Sequence, residues 1–279
     1  MIAHIYPKVA LLLTGGIPLV LVTACRQPSA EVTQPARIVS GSMAARFWGE
    51  HWRATCDDCG FSFRCGVEHP PDDMLAVCPN CGWPNVELNE DFRERGLAVD
   101  VVTRDFESEP PRRWEVVAFA EPGEEERTAV KRIVGLPGER VAIRDGEIYV
   151  NGELVRKSLA QLRECVQHVY DDSFRREENE HEECLRPRWQ AGEDSAWRKT
   201  EAGYVFEPEA PVQSAREDLL VFQFGRPRPP NYGGGASPVN DAYGYNQGLN
   251  RGLNHVVDLL LTCEFDLQDQ GLLIIAMHD

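Results

Sequence analysis

Residues 129–141 read AVKRIVGLPGERV, and this stretch decides the fold of the chain. The alternation across 128–134 predicts a β-strand in which Lys131 shares a face with Ala129 and Ile133. Gly-Leu-Pro-Gly at 135–138 then predicts a tight turn into a second strand at 139–143. The stretch therefore predicts two successive β-strands with a lysine on an apolar face.

The apolar neighbours of Lys131 suit it for a chemical role. Lysine acts as a base only when it is neutral, and burial disfavours its charged form. A lysine flanked on its own face by two apolar residues is a candidate for a lowered pKa. The competing interpretation is an ordinary strand lysine that extends its amine to water.

A second stretch, IVSGSM at residues 38–43, supplies a nucleophile for such a base. A serine hydroxyl becomes reactive when a neighbouring base takes its proton. Together the two stretches resemble the two catalytic boxes of bacterial signal peptidase I, a serine protease with lysine as its base. The resemblance implies that Ser42 is the nucleophile and Lys131 the general base. It also implies that Ser40, with the backbone N–H of Ser42, stabilises the oxyanion.

Two Cys-x-x-Cys pairs lie between the nucleophile and the base. This spacing is typical of a zinc ribbon, in which four thiolates surround a structural zinc ion and leave no ligand position open for catalysis. Disulfides are the alternative, which an oxidising compartment favours. The predicted metal ligands are Cys56, Cys59, Cys78 and Cys81, with Cys65 as a spare. No cofactor is expected in the reaction itself.

Residues 9–24 form an almost wholly apolar run. The resemblance implies an uncleaved, single-pass anchor in the bacterial inner membrane, which makes membrane lipid a partner. A cleaved signal peptide is a second interpretation, and a lipoprotein signal ending at Cys25 is a third. All three interpretations place the rest of the chain outside the cytoplasm.

Short strands predicted near 97–103, 113–119 and 147–150 indicate an antiparallel β catalytic domain. Asn151-Gly152 predicts a type I′ turn. Trp114-Glu115 stands where the family resemblance leads us to expect Gly-Asp. The fold class is therefore mainly β, a signal peptidase-like catalytic domain with inserted zinc ribbon and β-sandwich-like regions and one N-terminal transmembrane helix.

The 279 residues divide into six segments by composition and motif. They are an anchor or signal segment (1–25), the nucleophile segment (26–47), a zinc-ribbon-like insertion (48–90), a β core carrying the base (91–157), a helix and charged linker (158–192), and a β-sandwich-like region (193–279).

The formal net charge of −16 argues against nucleic acid as a partner, because phosphate binding needs a basic face.

The family's third catalytic box, a Gly-Asp-Asn-Arg-Asp-like run, is not recognisable, and residues 240–242 (Asn-Asp-Ala) are a poor substitute. The sequence thus predicts a C-terminally truncated chain. We expect a membrane-bound signal peptidase that acts on the signal peptides of exported proteins. The alternative is a non-catalytic envelope scaffold built on a degenerate signal peptidase fold. The Ser42–Lys131 distance distinguishes the two.

Overall fold

The computed structural model of the protein describes residues 2–4, 33–102, 109–121, 124–175, 188–208, 218–224, 239–242, 244–266 and 273–276. This part of the chain is mainly β, as expected, with one α-helix, α1 (Leu159–Cys165). The strands are β1 (Ile2–His4), β2 (Thr33–Arg37), β3 (His51–Thr55), β4 (Ser62–Gly66), β5 (Leu75–Ala76), β6 (Val86–Glu87), β7 (Arg93–Glu94), β8 (Ala98–Val102), β9 (Val116–Glu121), β10 (Glu124–Arg132), β11 (Val141–Arg144), β12 (Glu147–Val150), β13 (Glu153–Leu154), β14 (Val166–His168), β15 (Trp189–Ala191), β16 (Trp197–Thr200), β17 (Gly203–Phe206), β18 (Leu220–Phe222) and β19 (Leu259–Leu260). Short 3-10 helices cover Gly41–Met43, Asp72–Met74, Glu90–Phe92 and Asp172–Phe174.

The described strands pair antiparallel in small sheets. Three sheets have three strands, in the orders β4-β3-β7, β11-β12-β13 and β14-β1-β19. Five sheets are strand pairs, namely β2–β8, β5–β6, β9–β10, β15–β18 and β16–β17. Because each sheet is small, the packing between sheets must fix the relative positions of residues that are distant in sequence.

The tight turns of the β11-β12-β13 meander follow from their residues. Asn151 and Gly152 both have positive φ, at 53° and 90°, and connect β12 to β13 as a two-residue loop. Asp145 and Gly146 do the same between β11 and β12, with φ of 50° and 82°. These are the residue types that a type I′ turn favours, so the predicted turn at Asn151-Gly152 is confirmed.

Trp114 occupies an unusual backbone conformation at the entry to β9. Its φ is 73°, in the left-handed region that favours glycine. Its side chain is nevertheless buried and packs with Ile148 and Val150 in a small apolar core. The burial of the indole therefore offsets the backbone strain at this position.

The four cysteines lie at the tips of two hairpins. Cys56 and Cys59 lie between β3 and β4, while Cys78 and Cys81 lie between β5 and β6. The two hairpins share a buried core that includes Trp52, Phe63, Val86 and Leu88. We call residues 51–94, with these hairpins and β7, the cysteine module.

For the rest of the chain, the structure differs from several of the sequence predictions. The helix predicted from Ser158 is confirmed and begins with a capping box between Ser158 and Gln161, but it ends at Cys165 because β14 follows. The predicted β-sandwich does not appear in the described residues of 193–279. Their strands are two to four residues long, and β18 and β19 pair with β15 and β1, which lie outside this region. β16 and β17 pair with each other and have no fully buried face to stack against a second sheet.

Near the end of the chain, Leu259–Leu260 forms the short strand β19, and the described residues 273–276 are not in a strand. The apolar run 9–24 lies outside the described residues. No helix in the described part of the chain is long and apolar enough to cross a membrane.

We predict that Trp114→Gly lowers the free energy of unfolding. Losing a buried tryptophan side chain costs about 3–5 kcal/mol, while relief of the left-handed strain returns about 1–2 kcal/mol. The expected net loss is about 1–4 kcal/mol, measured by urea unfolding.

Asp145→Gly is the matched control, because Asp145 also has positive φ but is exposed. It should change stability by less than about 1 kcal/mol. A Trp114→Gly protein as stable as the wild type would show that backbone strain dominates at this position.

Candidate active site

The Lys131 amine lies beside the Ser42 hydroxyl, although 89 positions separate the two residues. Lys131 Nζ donates a hydrogen bond to Ser42 Oγ at 2.5 Å. The second serine of the motif is adjacent, since Ser40 Oγ lies 3.1 Å from Ser42 Oγ. The structure thus brings together the three side chains that the sequence singled out as a catalytic group. Their roles in a reaction stay a prediction.

Lys131 is carried by the β9–β10 hairpin. It lies opposite Val117 in a regular antiparallel register that runs from Thr128 to Arg132. Both Lys131 and Ser42 are half-buried. A paired strand fixes the direction of the lysine side chain, so the amine has a defined approach to the serine.

The turn that follows the Lys131 strand is held by an ion pair. The Arg113 guanidinium donates to both carboxylate oxygens of Glu139, at 2.6 and 2.8 Å, and also to the carbonyl of Val134. The Leu136 N–H donates to the same carboxylate at 2.7 Å. This N–H and the Arg113 guanidinium together lower the pKa of the Glu139 carboxyl. The predicted turn at 135–138 is therefore tied to the start of β9.

Ser42 lies in the 3-10 helix Gly41–Met43, which we call the nucleophile turn together with Ser40 and Ala44. The Ala44 N–H donates to the Gly41 carbonyl at 3.1 Å and closes the turn. Met43 is buried beneath it. The turn therefore directs the Ser42 side chain away from the buried Met43 and towards Lys131.

Tyr245 packs closely against the nucleophile turn and the cysteine module. A Cβ added to Gly41 or to Gly66 would lie 2.4 Å from Tyr245 Cε1, so both positions require glycine for space. The Gly66 N–H donates to the Tyr245 carbonyl at 2.6 Å, and the Tyr245 hydroxyl donates to the Glu50 carbonyl at 3.0 Å. Sequence reasoning missed Tyr245, because no local pattern marks it.

Two further side chains hold the backbone on either side of Ser42. Glu68 Oε2 accepts a hydrogen bond from the Gly41 N–H at 3.2 Å. The buried amide of Gln167 donates to the Ala44 carbonyl at 3.1 Å from 123 positions away. Sequence reasoning missed both residues, since each acts through a long-range backbone contact.

The four predicted metal ligands form one cluster. Their sulfur atoms all lie within 4.8 Å of one another, with Cys56–Cys81 at 3.6 Å and Cys59–Cys78 at 3.7 Å. These separations exceed the roughly 2.0 Å of a disulfide and match the edge of about 3.8 Å of a tetrahedron with metal–sulfur bonds of about 2.3 Å. The cluster therefore fits a tetrahedral thiolate metal site better than two disulfides.

The two Cys-x-x-Cys turns share one backbone design. The Gly60 and Gly82 N–H groups each donate to the carbonyl of the first cysteine of their pair, both at 2.9 Å. Both glycines have positive φ, at 74° and 87°. In each turn the first cysteine's N–H also bonds the carbonyl five residues on, which curls the chain around the sulfur atoms. Such a repeated geometry holds four ligands at one point.

The thiols of the cluster perturb one another. Hydrogen bonds from Cys78 and Cys81 lower the pKa of the Cys59 thiol to about 2, while contact with Cys59 raises the pKa of the Cys78 thiol to about 12. A divalent cation at the centre would favour the thiolate at all four. Cys65 is buried outside the cluster, and burial raises the pKa of its thiol to about 11, which makes it an inert core residue.

The β-rich segment that carries Lys131 also matches a known family. Residues 84–206 match the family model of signal peptidase, peptidase S26. This segment is therefore similar to the signal peptidase family. The matched range contains Lys131 and begins after Ser40, Ser42 and the four clustered cysteines.

A curated relative agrees with the family match. The chain is 34% identical over 91 residues to signal peptidase I V of Bacillus subtilis (strain 168). The aligned part is 31% of this chain and 52% of that protein, so the chain spans about half the length of the curated relative. No solved structure matches the chain.

We predict that Glu139→Gln lowers the melting temperature at neutral pH. The pKa of Glu139 is lowered in the folded state, so its ionised form stabilises the fold above the ordinary glutamate pKa of about 4.3. That contribution is lost as the pH falls through the lowered pKa. The difference in melting temperature between wild type and variant should therefore shrink between neutral pH and about pH 3.

The exposed Glu153 provides a matched control. Glu153→Gln should leave the melting temperature close to that of the wild type at both pH values. A Glu139→Gln difference that stays constant with pH would assign the effect to lost packing instead of lost charge.

Proposed function

We propose that this protein is a signal peptidase-type serine endopeptidase with Ser42 as nucleophile and Lys131 as general base. The observation that carries the proposal is the 2.5 Å contact between Lys131 Nζ and Ser42 Oγ. This distance is slightly shorter than the range of about 2.6–3.2 Å expected for a nucleophile and its base. The family match to the segment around Lys131 adds independent support.

The acylation step begins when the neutral Lys131 amine accepts the Ser42 hydroxyl proton. The serine oxygen attacks the scissile carbonyl carbon, and the carbonyl oxygen becomes an oxyanion. The C–N bond then breaks, and the leaving amine takes the proton from the Lys131 ammonium. An ester between Ser42 and the N-terminal part of the substrate is left.

The oxyanion needs donors that are already in place when charge develops. The Ser40 hydroxyl, next to Ser42 Oγ in the structure, supplies one, and the Ser42 backbone N–H supplies the other.

In deacylation Lys131 takes a proton from water, the hydroxide attacks the ester carbonyl, and the proton returns to Ser42 Oγ. The second product is a carboxylic acid, which loses its proton to solvent and leaves as a carboxylate.

The substrates we propose are the signal peptides of exported proteins, cleaved after a small residue. β10 pairs with β9 along one edge and with no other strand among the described residues. An extended peptide could add to the other edge of β10 by backbone hydrogen bonds, close to Lys131. We also propose a single-pass anchor in the inner membrane, with the catalytic part on its extracytoplasmic side.

The cysteine cluster is proposed to hold one structural zinc ion. Cys56, Cys59, Cys78 and Cys81 would bind the ion as four thiolates, and four sulfur ligands leave no open position for a substrate or water. When bound, the ion would tie the two hairpins together. It takes no part in the proton transfers above.

We predict that Ser42→Ala and Lys131→Met each reduce cleavage of a model preprotein by about 1,000-fold or more. Each variant removes one of the two groups that move the proton, while the methionine keeps most of the lysine's length. Cleavage is measured in detergent by gel and mass spectrometry. Ser62→Ala and Lys199→Met are matched controls at exposed positions and should retain wild-type rates.

Equal cleavage by wild type and Lys131→Met would overturn the dyad. A wild-type protein that binds preproteins without cleaving them would favour the alternative of a non-catalytic scaffold. Mass spectrometry of the products separates genuine signal-peptide removal from contaminating proteolysis, because genuine cleavage gives one defined N-terminus.

We predict one zinc ion per purified chain and its loss in the double variant Cys56→Ser, Cys78→Ser. Two missing thiolates leave too few ligands for a structural site. Metal content is measured by elemental mass spectrometry. Cys65→Ser is the matched control, because Cys65 is fully buried in the same core but lies outside the cluster. An unchanged zinc content in the double variant would contradict the site.

A further inference from the structure

Asn80 lies inside the second Cys-x-x-Cys turn, and its side chain is fully buried. Its amide nitrogen donates to the carbonyls of Asp171 and Phe174, at 3.2 and 2.9 Å. Its amide oxygen accepts from the Asp171 N–H at 2.6 Å and lies 3.0 Å from His168 Nε2. The side chain therefore uses its full hydrogen-bonding capacity on one segment, residues 168–174, outside the cysteine module.

Segment 168–174 follows directly after Gln167. Phe61 of the cysteine module stacks on the His168 ring with ring centroids 4.3 Å apart, which adds an apolar contact to the bonds of Asn80. Gln167 is buried and donates to the carbonyl of Ala44. A continuous path of direct contacts thus runs from the cysteine cluster through Asn80 and Gln167 to the nucleophile turn.

The cysteine module also reaches the other side of the nucleophile turn. Glu68, two residues after β4, accepts from the Gly41 N–H. Gly66 and Gly41 enclose the Tyr245 ring. The turn that carries Ser42 is therefore held at both ends by contacts that originate in, or pass through, the module.

We propose that the cysteine module positions the nucleophile turn through Asn80 and Gln167. Neither residue touches Ser42 or Lys131 in the described contacts, so both are positioning residues and not catalytic ones. This inference rests on the proposed function for its effect on rate. The inference that Asn80 and Gln167 order the nucleophile turn does not depend on enzymatic activity.

The expected size of the effect follows from the geometry of the reaction. A displacement of about 1 Å at a reacting atom can cost about 100-fold in rate. The nucleophile turn has one closing hydrogen bond of its own, from Ala44 to Gly41, so loss of the Gln167 contact frees the carbonyl next to that bond. Substrate binding along β10 is separate from this contact, so kcat should fall more than KM changes.

The test compares the full chain with Asn80→Ala, Gln167→Ala and the double variant. Asn89→Ala is the matched control, because Asn89 caps a 3-10 helix in the same module through a bond to the Asp91 N–H. Each protein is assayed for zinc content, for hydrogen exchange of the amides in 41–47, and for kcat and KM on a peptide substrate.

We expect Asn80→Ala and Gln167→Ala to retain zinc at the wild-type level. Both should raise the exchange rate of the Ala44 amide by about 10-fold or more and lower kcat by about 10- to 100-fold, with KM within about twofold. The kcat of the double variant should be no lower than that of the more impaired single variant, because both residues act on one path. Asn89→Ala should match the wild type.

The inference is overturned if either single variant keeps its zinc and shows wild-type exchange at the nucleophile turn. Additive losses of kcat in the double variant would also overturn the inference, because they would show that the two residues act independently. If Asn80→Ala does not fold, Gln167→Glu decides, since it keeps the side-chain length and replaces the donor with a carboxylate. If no protein cleaves the peptide, the proposed function fails while the exchange data still decide the positioning.

Discussion

The hydrogen bond between the Lys131 amine and the Ser42 hydroxyl is the constraint on which the rest of the structure depends. A lysine side chain loses much rotamer freedom when its amine is held in one place, so the contact persists only if both backbones are fixed. On one side the β9–β10 pairing and the Arg113–Glu139 ion pair fix the strand. On the other side Gly41 is pressed against the Tyr245 ring. The first support is local to Lys131, whereas Tyr245 lies far from Gly41 in sequence.

The cysteine module lies between the two motifs in sequence and also contacts the nucleophile turn in space. It could have been a separate unit on a linker, as an insertion at 48–90 suggests. Instead, its hairpins supply Glu68 and Gly66 to the nucleophile turn and its neighbour Tyr245, and Asn80 to the segment after Gln167. An insertion packed in this way cannot be removed without leaving buried polar groups unpaired, which is costly.

Local chemistry was predictable from the sequence, and long-range packing was not. The Asn151-Gly152 turn, the strand of Lys131 and the clustering of four cysteines all follow from residue types at short spacing. The positive φ of Trp114 does not, because only tertiary burial of the indole makes that conformation tolerable. A β-sandwich-like region was also expected at 193–279. The side-chain pattern of a strand fixes which residues share a face but not whether another sheet covers that face.

The small sheets give a physical reason for the proposed metal site. β5 and β6 contribute two residues each, and an isolated hairpin is marginal in water even when it is longer. The nucleophile turn buries only Gly41 and Met43, so most of its order comes from its neighbours. A metal bound by four thiolates would add folding free energy at the point where β3–β4 and β5–β6 meet. That free energy would reach Ser42 only through packing, because the sulfur ligands would saturate the ion. The fully bonded Asn80 amide begins one such route in the described structure.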